Sequence, residues 1–502
     1  MKKCIRQRNI INLIISLVIF LAFGCPSVQA VNDPPTTEEL LKRINDLEQK
    51  LNHVDELEQE VKDLKAQLEK QRAAPPVETA LAPATNAAGT VAANPNAVYN
   101  PKAPSHIAAG PEGLIFQSSD SNFLIGVHGL LQFDSRTFPS DDKALGNDTF
   151  LLRRARPILS GTLYRDFDFL LTPEFGGNTI QILDALVNYR LRPEIQLQMG
   201  KMKPPIGLEA QEPEEATLFN ERSLATDLVP YRDIGAELHG NVFGGSLTYA
   251  AGVFNGSPDY LTTTTNNNFD NNKSFDGRIY LQPWSKNMPS PVRGLGFGVA
   301  GTIQKDAGAT NSPNGTGLTQ GYTTDGLEKF FTYSNSAASR GLHSRLSPQA
   351  FWSWGPAQVM AEYVVDNDHV SNFAKKTTSA SLQNTAWEVS GGWVLTGEDA
   401  SYYGVAPNHP FAPLQGQWGA FQLVARYAQL DIDKNTFHGY ADPNTSASEA
   451  DAWAIGLNWY LNRNLRINTS FSRTTFEGGN GPKATVTKQP EEVFFTRLQL
   501  VF

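Results

Sequence analysis

Arginines and lysines set along stretches of alternating polarity are the side chains of this 502-residue chain best suited to chemistry. Arg153, Arg154 and Arg156 crowd one such stretch. Strict alternation in an extended chain puts Arg154 and Arg156 on one face and Arg153 on the other. Arg426 and Arg466 fall on the polar faces of two later stretches, and Lys201 and Lys203 stand where another meets Pro204-Pro205. A guanidinium is a planar fork that grips two oxygens at once, and charged donors make the stronger hydrogen bonds. The chemistry on offer is recognition of oxyanions. The plainer reading is ion pairing: across a wall for Arg426 and Arg466, at a rim for the Arg153 cluster, and on an exposed loop for the two lysines.

Catalytic patterns are missing. The sequence has no Gly-x-Ser-x-Gly elbow, no His-Glu-x-x-His, no P-loop and no dinucleotide fingerprint. Asp431-Ile432-Asp433-Lys434-Asn435 begins like a calcium loop, but Thr436 stands where the turn needs glycine. The only cysteines are Cys4 and Cys25, both in a segment read below as removable. An enzyme is therefore not expected, nor a cofactor or a metal.

The elements that must carry the cations begin with an export signal. Lys2, Lys3, Arg6 and Arg8 precede an apolar stretch, Ile10 to Phe23, and then Pro26-Ser27-Val28-Gln29-Ala30. That is a secretory signal peptide, residues 1–30, with cleavage expected after Ala30. Losing its four basic residues takes the formal charge from -9 to -13, which argues against a nucleic-acid partner. With a mean hydropathy of -0.33 and a single apolar run, the chain is no bundle of apolar membrane helices.

From Leu40 to Leu68 the apolar residues Leu40, Ile44, Leu47, Leu51, Val54, Leu57, Val61, Leu64 and Leu68 recur in steps of three or four. This heptad seam, about 43 Å long from Leu40 to Leu68, predicts a self-associating coiled coil over residues 31–72. Residues 73–112, rich in Ala, Pro, Asn and Thr, read as a linker without enough large apolar residues for a core.

Beyond it the period becomes two. Phe123, Ile125, Val127, Leu131 and Phe133 oppose His128, Leu130, Gln132 and Asp134. Trp453, Ile455, Leu457 and Trp459 oppose Asn458 and Tyr460, and tight turns such as Asn462-Arg463-Asn464 alternate with long polar stretches. Short turns at one end and long loops at the other are the pattern of outer-membrane barrels. A soluble sandwich or solenoid also alternates. The chain, however, ends on a strand carrying Phe494, Leu498, Leu500 and Phe502 on one face, as barrels inserted in the outer membrane do. At roughly 24 residues per strand and connection, residues 113–502 predict an all-β, antiparallel transmembrane barrel of about 16 strands, preceded by the helical coil.

Several runs are recognisable together: Phe150-Leu151-Leu152-Arg153-Arg154-Ala155-Arg156, Tyr164-Arg165-Asp166-Phe167, Gly200-Lys201-Met202-Lys203-Pro204-Pro205-Ile206-Gly207-Leu208-Glu209, Glu221-Arg222-Ser223, Leu395-Thr396-Gly397-Glu398, Ala425-Arg426-Tyr427 and Asn458-Trp459-Tyr460. In this order they resemble the phosphate-selective porin O and P family, over nearly everything from Gly113 to Phe502. The resemblance implies a homotrimer of 16-stranded barrels in the Gram-negative outer membrane, passing small anions such as phosphate, with Arg153 and Arg154 at the constriction. Two departures matter. Leu130 stands where many members carry an arginine, and Gln304–Arg345 offers only Lys305, Lys329, Arg340 and Arg345. After residue 120 the chain has 30 basic and 37 acidic residues, so any anion preference must be local. The alternative is a general porin, permeable to cations or sugars, whose periplasmic coil tethers the outer membrane to peptidoglycan or a periplasmic protein.

Overall fold

The structure is a computed structural model. It describes residues 106–139, 146–177, 180–259, 271–284, 291–308, 321–374, 378–479 and 489–502. The expected signal peptide, coiled coil and most of the linker lie outside the described residues.

Alternating sequence becomes strand throughout. In chain order these are β1 (His106–Gly110), β2 (Gly113–Gln117), β3 (Phe123–Thr137), β4 (Thr149–Leu163), β5 (Phe167–Glu174), β6 (Gln181–Arg192) and β7 (Ile195–Met202). Then follow β8 (Asp233–Val242), β9 (Leu247–Phe254), β10 (Ser274–Leu281), β11 (Gly296–Ala307), β12 (Gly321–Thr323) and β13 (Lys329–Thr332). The chain finishes with β14 (Ala337–Trp354), β15 (Ala357–Asn372), β16 (Thr378–Val394), β17 (Ala420–Asp431), β18 (Ala447–Tyr460), β19 (Leu465–Gly478) and β20 (Glu491–Val501). β3 to β11 and β14 to β20 pair in sequence, all antiparallel, and β20 closes on β3. This is the closed 16-stranded barrel the alternation predicts. Closure leaves no backbone group unpaired against lipid.

The seam is shared between two partners. β20 pairs with Leu130–Thr137 of β3, and β2 pairs with Leu124–Val127. Gly129 sits at the changeover, donating to the Phe502 carbonyl at 2.7 Å and accepting from the Phe502 N–H at 3.0 Å. A Cβ at Gly129 would lie 2.4 Å from the tip of the Phe502 ring, so a larger residue there would have to push that ring aside. β1, in the stretch read as linker, extends this edge by pairing with β2.

Faces sort as the bilayer requires. Leu131, Phe133, Leu423, Trp453, Ile455, Phe494 and Leu498 are exposed on the outer wall, while Gln132, Asp134, Arg426, Asn458 and Arg497 are buried inside. Tight turns such as Pro193-Glu194 and Gly355-Pro356 mark one end of the barrel, and connections such as residues 203–232 and 432–446 mark the other.

Two long connections fold inward. Residues 203–232, between β7 and β8, leave the wall through Pro204-Pro205 and turn at Gly207, whose φ of 77° suits glycine. A single helical turn, Leu208–Gln211, and a 3-10 turn, Leu224–Leu228, follow. The β12–β13 hairpin packs against them. Ile206, Leu224, Leu228 and Val229 join Tyr322, Phe330 and Phe331 and the inward Val364, Leu382 and Leu430 in one buried cluster. Each large apolar side chain so buried contributes about 1.5–3 kcal/mol. A barrel with a polar inner surface thus holds an apolar core made by its own loops.

Candidate permeation constriction

The cations converge because of a fault in the β3–β4 ladder. Gln132 pairs with Arg154 and Phe133 with Leu152, leaving Arg153 as the extra residue of a β-bulge. The bulge resets the alternation. Arg153 swings inward beside Arg154 and Arg156 instead of facing out, which a strict period of two could not show.

Each then meets an acid of the inward segment or the adjoining wall. Arg153 donates from Nε and Nη2 to both oxygens of Glu221, at 2.6 and 2.8 Å. Arg154 pairs with Glu214 at 2.9 Å and donates to Gln132 Oε1 at 2.6 Å. Arg156 pairs with Glu174 at 2.5 Å and reaches the Tyr231 hydroxyl at 3.5 Å. Arg426 lies 2.8 Å from Asp325 and 3.3 Å from Glu209, with its guanidinium 4.6 Å over the Phe219 ring. Among the described residues Arg466 reaches neutral oxygens, Gln499 Oε1 at 3.3 Å and the Tyr460 hydroxyl at 3.4 Å, and its Nε has no partner. Lys203 donates to the Glu212 carbonyl at 2.9 Å, and Lys201 is buried near Arg232, Asp184 and Asp233.

Three cations absent from the candidate set complete the arrangement. Arg136 and Arg497 both reach Glu221, at 2.9 and 3.3 Å, and Arg497 also forks Asp134 at 2.6 and 2.7 Å. Arg222 reaches Glu214 at 2.7 Å. Alternation along β20 carried the signal for Arg497, which is odd-numbered among outward Phe494, Leu498 and Leu500. Nothing in the spacing announced that residues 203–232 would deliver their own acids to these arginines.

The charges do not cancel. Along this wall Arg136, Arg153, Arg154, Arg156, Arg222, Arg466 and Arg497 meet only Asp134, Glu174, Glu214 and Glu221 within 4.0 Å among the described residues. N–H groups are left over at Arg136 Nε, Arg154 Nε, Arg466 Nε and Arg497 Nη1, all buried without an acceptor. A buried donor left without an acceptor costs about 1–3 kcal/mol. On the inward segment, burial opposes ionisation of Glu214 and Glu221, yet the surrounding arginines hold both carboxyls well below the usual range. Burial, with the charge of Glu209, pushes Glu212 up to about 8. Burial and the nearby Arg222 and Arg232 lower Lys203 well below an ordinary lysine.

The facing wall has the opposite sign. Asp306, Glu362, Asp366, Asp368 and Glu388 are buried on the inner faces of β11, β15 and β16, where Arg345 and His343 are the basic groups beside the aspartates.

Sequence comparison settles the family. Residues 125–502 match the model for "Phosphate-selective porin O and P". The chain belongs to this family. It is 24% identical over 420 residues to Porin O of Pseudomonas aeruginosa, an alignment covering 78% of this chain and 91% of the relative. Among solved structures, the outer membrane channel DcaP of Acinetobacter baumannii shares the fold, with a TM-score of 0.50 at 9% identity, covering 79% of this chain and all of that one. As a porin of this family, the protein is a channel of the Gram-negative outer membrane, and its inward segment between β7 and β8 narrows the lumen from one side. Leu130, the family departure, faces the lumen opposite Arg156 and is buried.

Proposed function

We propose that this porin passes small anions, phosphate-like oxyanions among them, along the arginine wall. The observation that carries the reading is that, among the described residues, guanidinium groups outnumber the carboxylates they pair with along this wall, with N–H groups of Arg136, Arg154, Arg466 and Arg497 lacking an acceptor. An anion entering the narrowed lumen loses water and recovers its solvation from these donors. Arg153 and Arg154 act as the positive ends of charged pairs whose acids sit on the inward segment, so the field lies across the lumen. Arg156, Arg426 and Arg466 extend it, and Lys201 and Lys203 add to it where β7 meets the inward segment. The test is the reversal potential of the purified channel in a potassium chloride gradient, repeated with phosphate.

The acidic wall of β11, β15 and β16 favours a second reading, a general porin also permeable to cations or sugars. A cation-preferring wild type would establish it. Assembly as a homotrimer accords with the low side of the barrel. β5, β7, β9 and β10 have only 8 residues each, whereas a tilted membrane strand needs about 9–11. That side is protected when it faces sister subunits. The heptads of residues 31–72 would lie in the periplasm, tied to the cell wall or a periplasmic protein.

A further inference from the structure

One connection at the tight-turn end of the barrel is long. Residues 395–419 join β16 to β17 beside the Gly355-Pro356 turn, where the Val394 N–H donates to the Pro356 carbonyl and the Ala400 N–H to the Gly355 carbonyl, both at 2.8 Å. Tight turns mark the periplasmic end of an outer-membrane barrel. From Ala400 to Ala425 the sequence has no Asp, Glu, Lys or Arg. Other turns at this end are charged, as in Tyr164-Arg165-Asp166, Pro193-Glu194 and Asn462-Arg463-Asn464.

The connection has two limbs. The first turns into the barrel mouth, where the Tyr402 hydroxyl donates to the Leu208 carbonyl at 2.6 Å and the ring meets Phe351 edge-on at 5.4 Å between centroids. The second turns outward. Ala412 and Gln417 bridge to close a small hairpin around the 3-10 turn Pro413–Gln415. At its base Phe411 packs on Trp418 at 5.8 Å and on Trp459 at 5.4 Å, and Trp459 stacks on Phe421 at 5.6 Å. Trp459 follows the outward Ile455 and Leu457 of β18 in the period of two, so the hairpin sits on the lipid side of the wall. Leu414 at its tip is fully exposed, and Trp418 is exposed beside it.

The hairpin backbone is prepared for a dry surrounding. Pro410 and Pro413 have no N–H to satisfy. Phe411 donates to the Leu461 carbonyl, Ala412 to Gln417, Gln415 and Gln417 to Ala412, and Gly416 to Pro413. Trp459 Nε1 donates to the Trp418 carbonyl at 2.6 Å. Lipid admits backbone only when its polar groups are paired internally. Tryptophan collects at the membrane–water boundary, and a bare leucine next to it gains by leaving water. We infer that the Phe411–Trp418 hairpin is a foot inserted in the membrane, with Leu414 among the phospholipid chains of the periplasmic leaflet. Continuity with the lipid-facing wall through Trp459 and Phe421, together with the absence of charge, selects lipid as the occupant of this surface. The inference rests on the barrel's place in the outer membrane and not on the anion reading.

The test places a nitroxide spin label at the tip of the foot. Both cysteines of the chain lie in the expected signal peptide, so Leu414→Cys supplies the labelling site in the exported porin. A fully exposed side chain can be exchanged without disturbing the fold. The labelled protein is reconstituted into vesicles of phosphatidylethanolamine and phosphatidylglycerol. Collisions of the label with oxygen, which concentrates in hydrocarbon, are compared with those of a water-soluble nickel chelate. Leu423→Cys on the outer wall and Glu194→Cys in an exposed tight turn are the lipid and water references. At Leu414→Cys oxygen should dominate and the nickel collisions be lost, as at Leu423→Cys. Nickel collisions as frequent as at Glu194→Cys overturn the inference, because the tip then stands in water. A label shielded from both reagents overturns it too, because a second copy of the chain then covers the hairpin.

Discussion

Arg153 and Glu221 form a two-point ion pair between the barrel wall and the inward segment, Nε to Oε1 at 2.6 Å and Nη2 to Oε2 at 2.8 Å. Glu221 also serves Arg136 and Arg497. One carboxylate therefore ties three cationic side chains from β3, β4 and β20 to the segment that narrows the lumen.

Glu221→Ala should destabilise the barrel more than Arg153→Ala does. Removing the acid leaves three guanidinium groups facing one another, and breaking a buried pair this way costs about 3–5 kcal/mol. Urea unfolding in detergent checks it, and a loss under about 1 kcal/mol would show that the segment is held by other contacts.

The loop core makes a separate claim. Phe331 is 1% exposed and stacks on Tyr322 at 5.3 Å between centroids. Phe331→Ala should cost about 3–5 kcal/mol, while the strands stay folded and single-channel conductance rises as the hairpin loosens. Unchanged conductance together with unchanged stability would mean that the hairpin does not pack in the lumen.

At the seam, Gly129→Ala drives a methyl into the Phe502 ring. The folded, heat-modifiable form should appear more slowly and melt lower on a gel than the wild type. Identical melting would remove the role given to the terminal aromatic.

The pH dependence follows from Glu212, whose carboxyl is pushed up to about 8 by burial and by Glu209. Below that value the group is neutral, and as pH rises through it the lumen gains a negative charge. Anion preference should fall between about pH 7 and pH 9, the span of that titration, and the step should disappear in Glu212→Gln. A step of the same size in Glu212→Gln would assign the titration elsewhere.

Much of this architecture is legible in the residues. Period-two runs around Phe133, Leu423 and Ile455 mark the lipid face, and the apolar face of Phe494, Leu498, Leu500 and Phe502 marks the last strand as part of a barrel wall. Arg497 was as readable as Arg426, since each alternates with outward apolar residues. The facing of Arg153 was not, because a bulge depends on the register between β3 and β4, which no single strand encodes. The partners Glu214 and Glu221 were also hidden. They sit about 60 residues from the arginines in sequence, on a segment whose inward fold is decided by tertiary contacts such as Leu208 N–H to Glu362.

The reversal potential of the wild type and of Arg153→Ala/Arg154→Ala in the same salt gradient bears most directly on the arginine wall. A unit charge at 4 Å is worth about 4 kcal/mol at an effective dielectric near 20. Losing a third of that shifts an anion's occupancy about tenfold. The double variant also leaves Glu214 and Glu221 less compensated, adding to the change. The wild type should prefer chloride over potassium, with the preference weakened about tenfold or reversed in the variant while the barrel remains folded. A cation-preferring wild type, or an unaltered reversal potential in the variant, would contradict anion passage along Arg153 and Arg154.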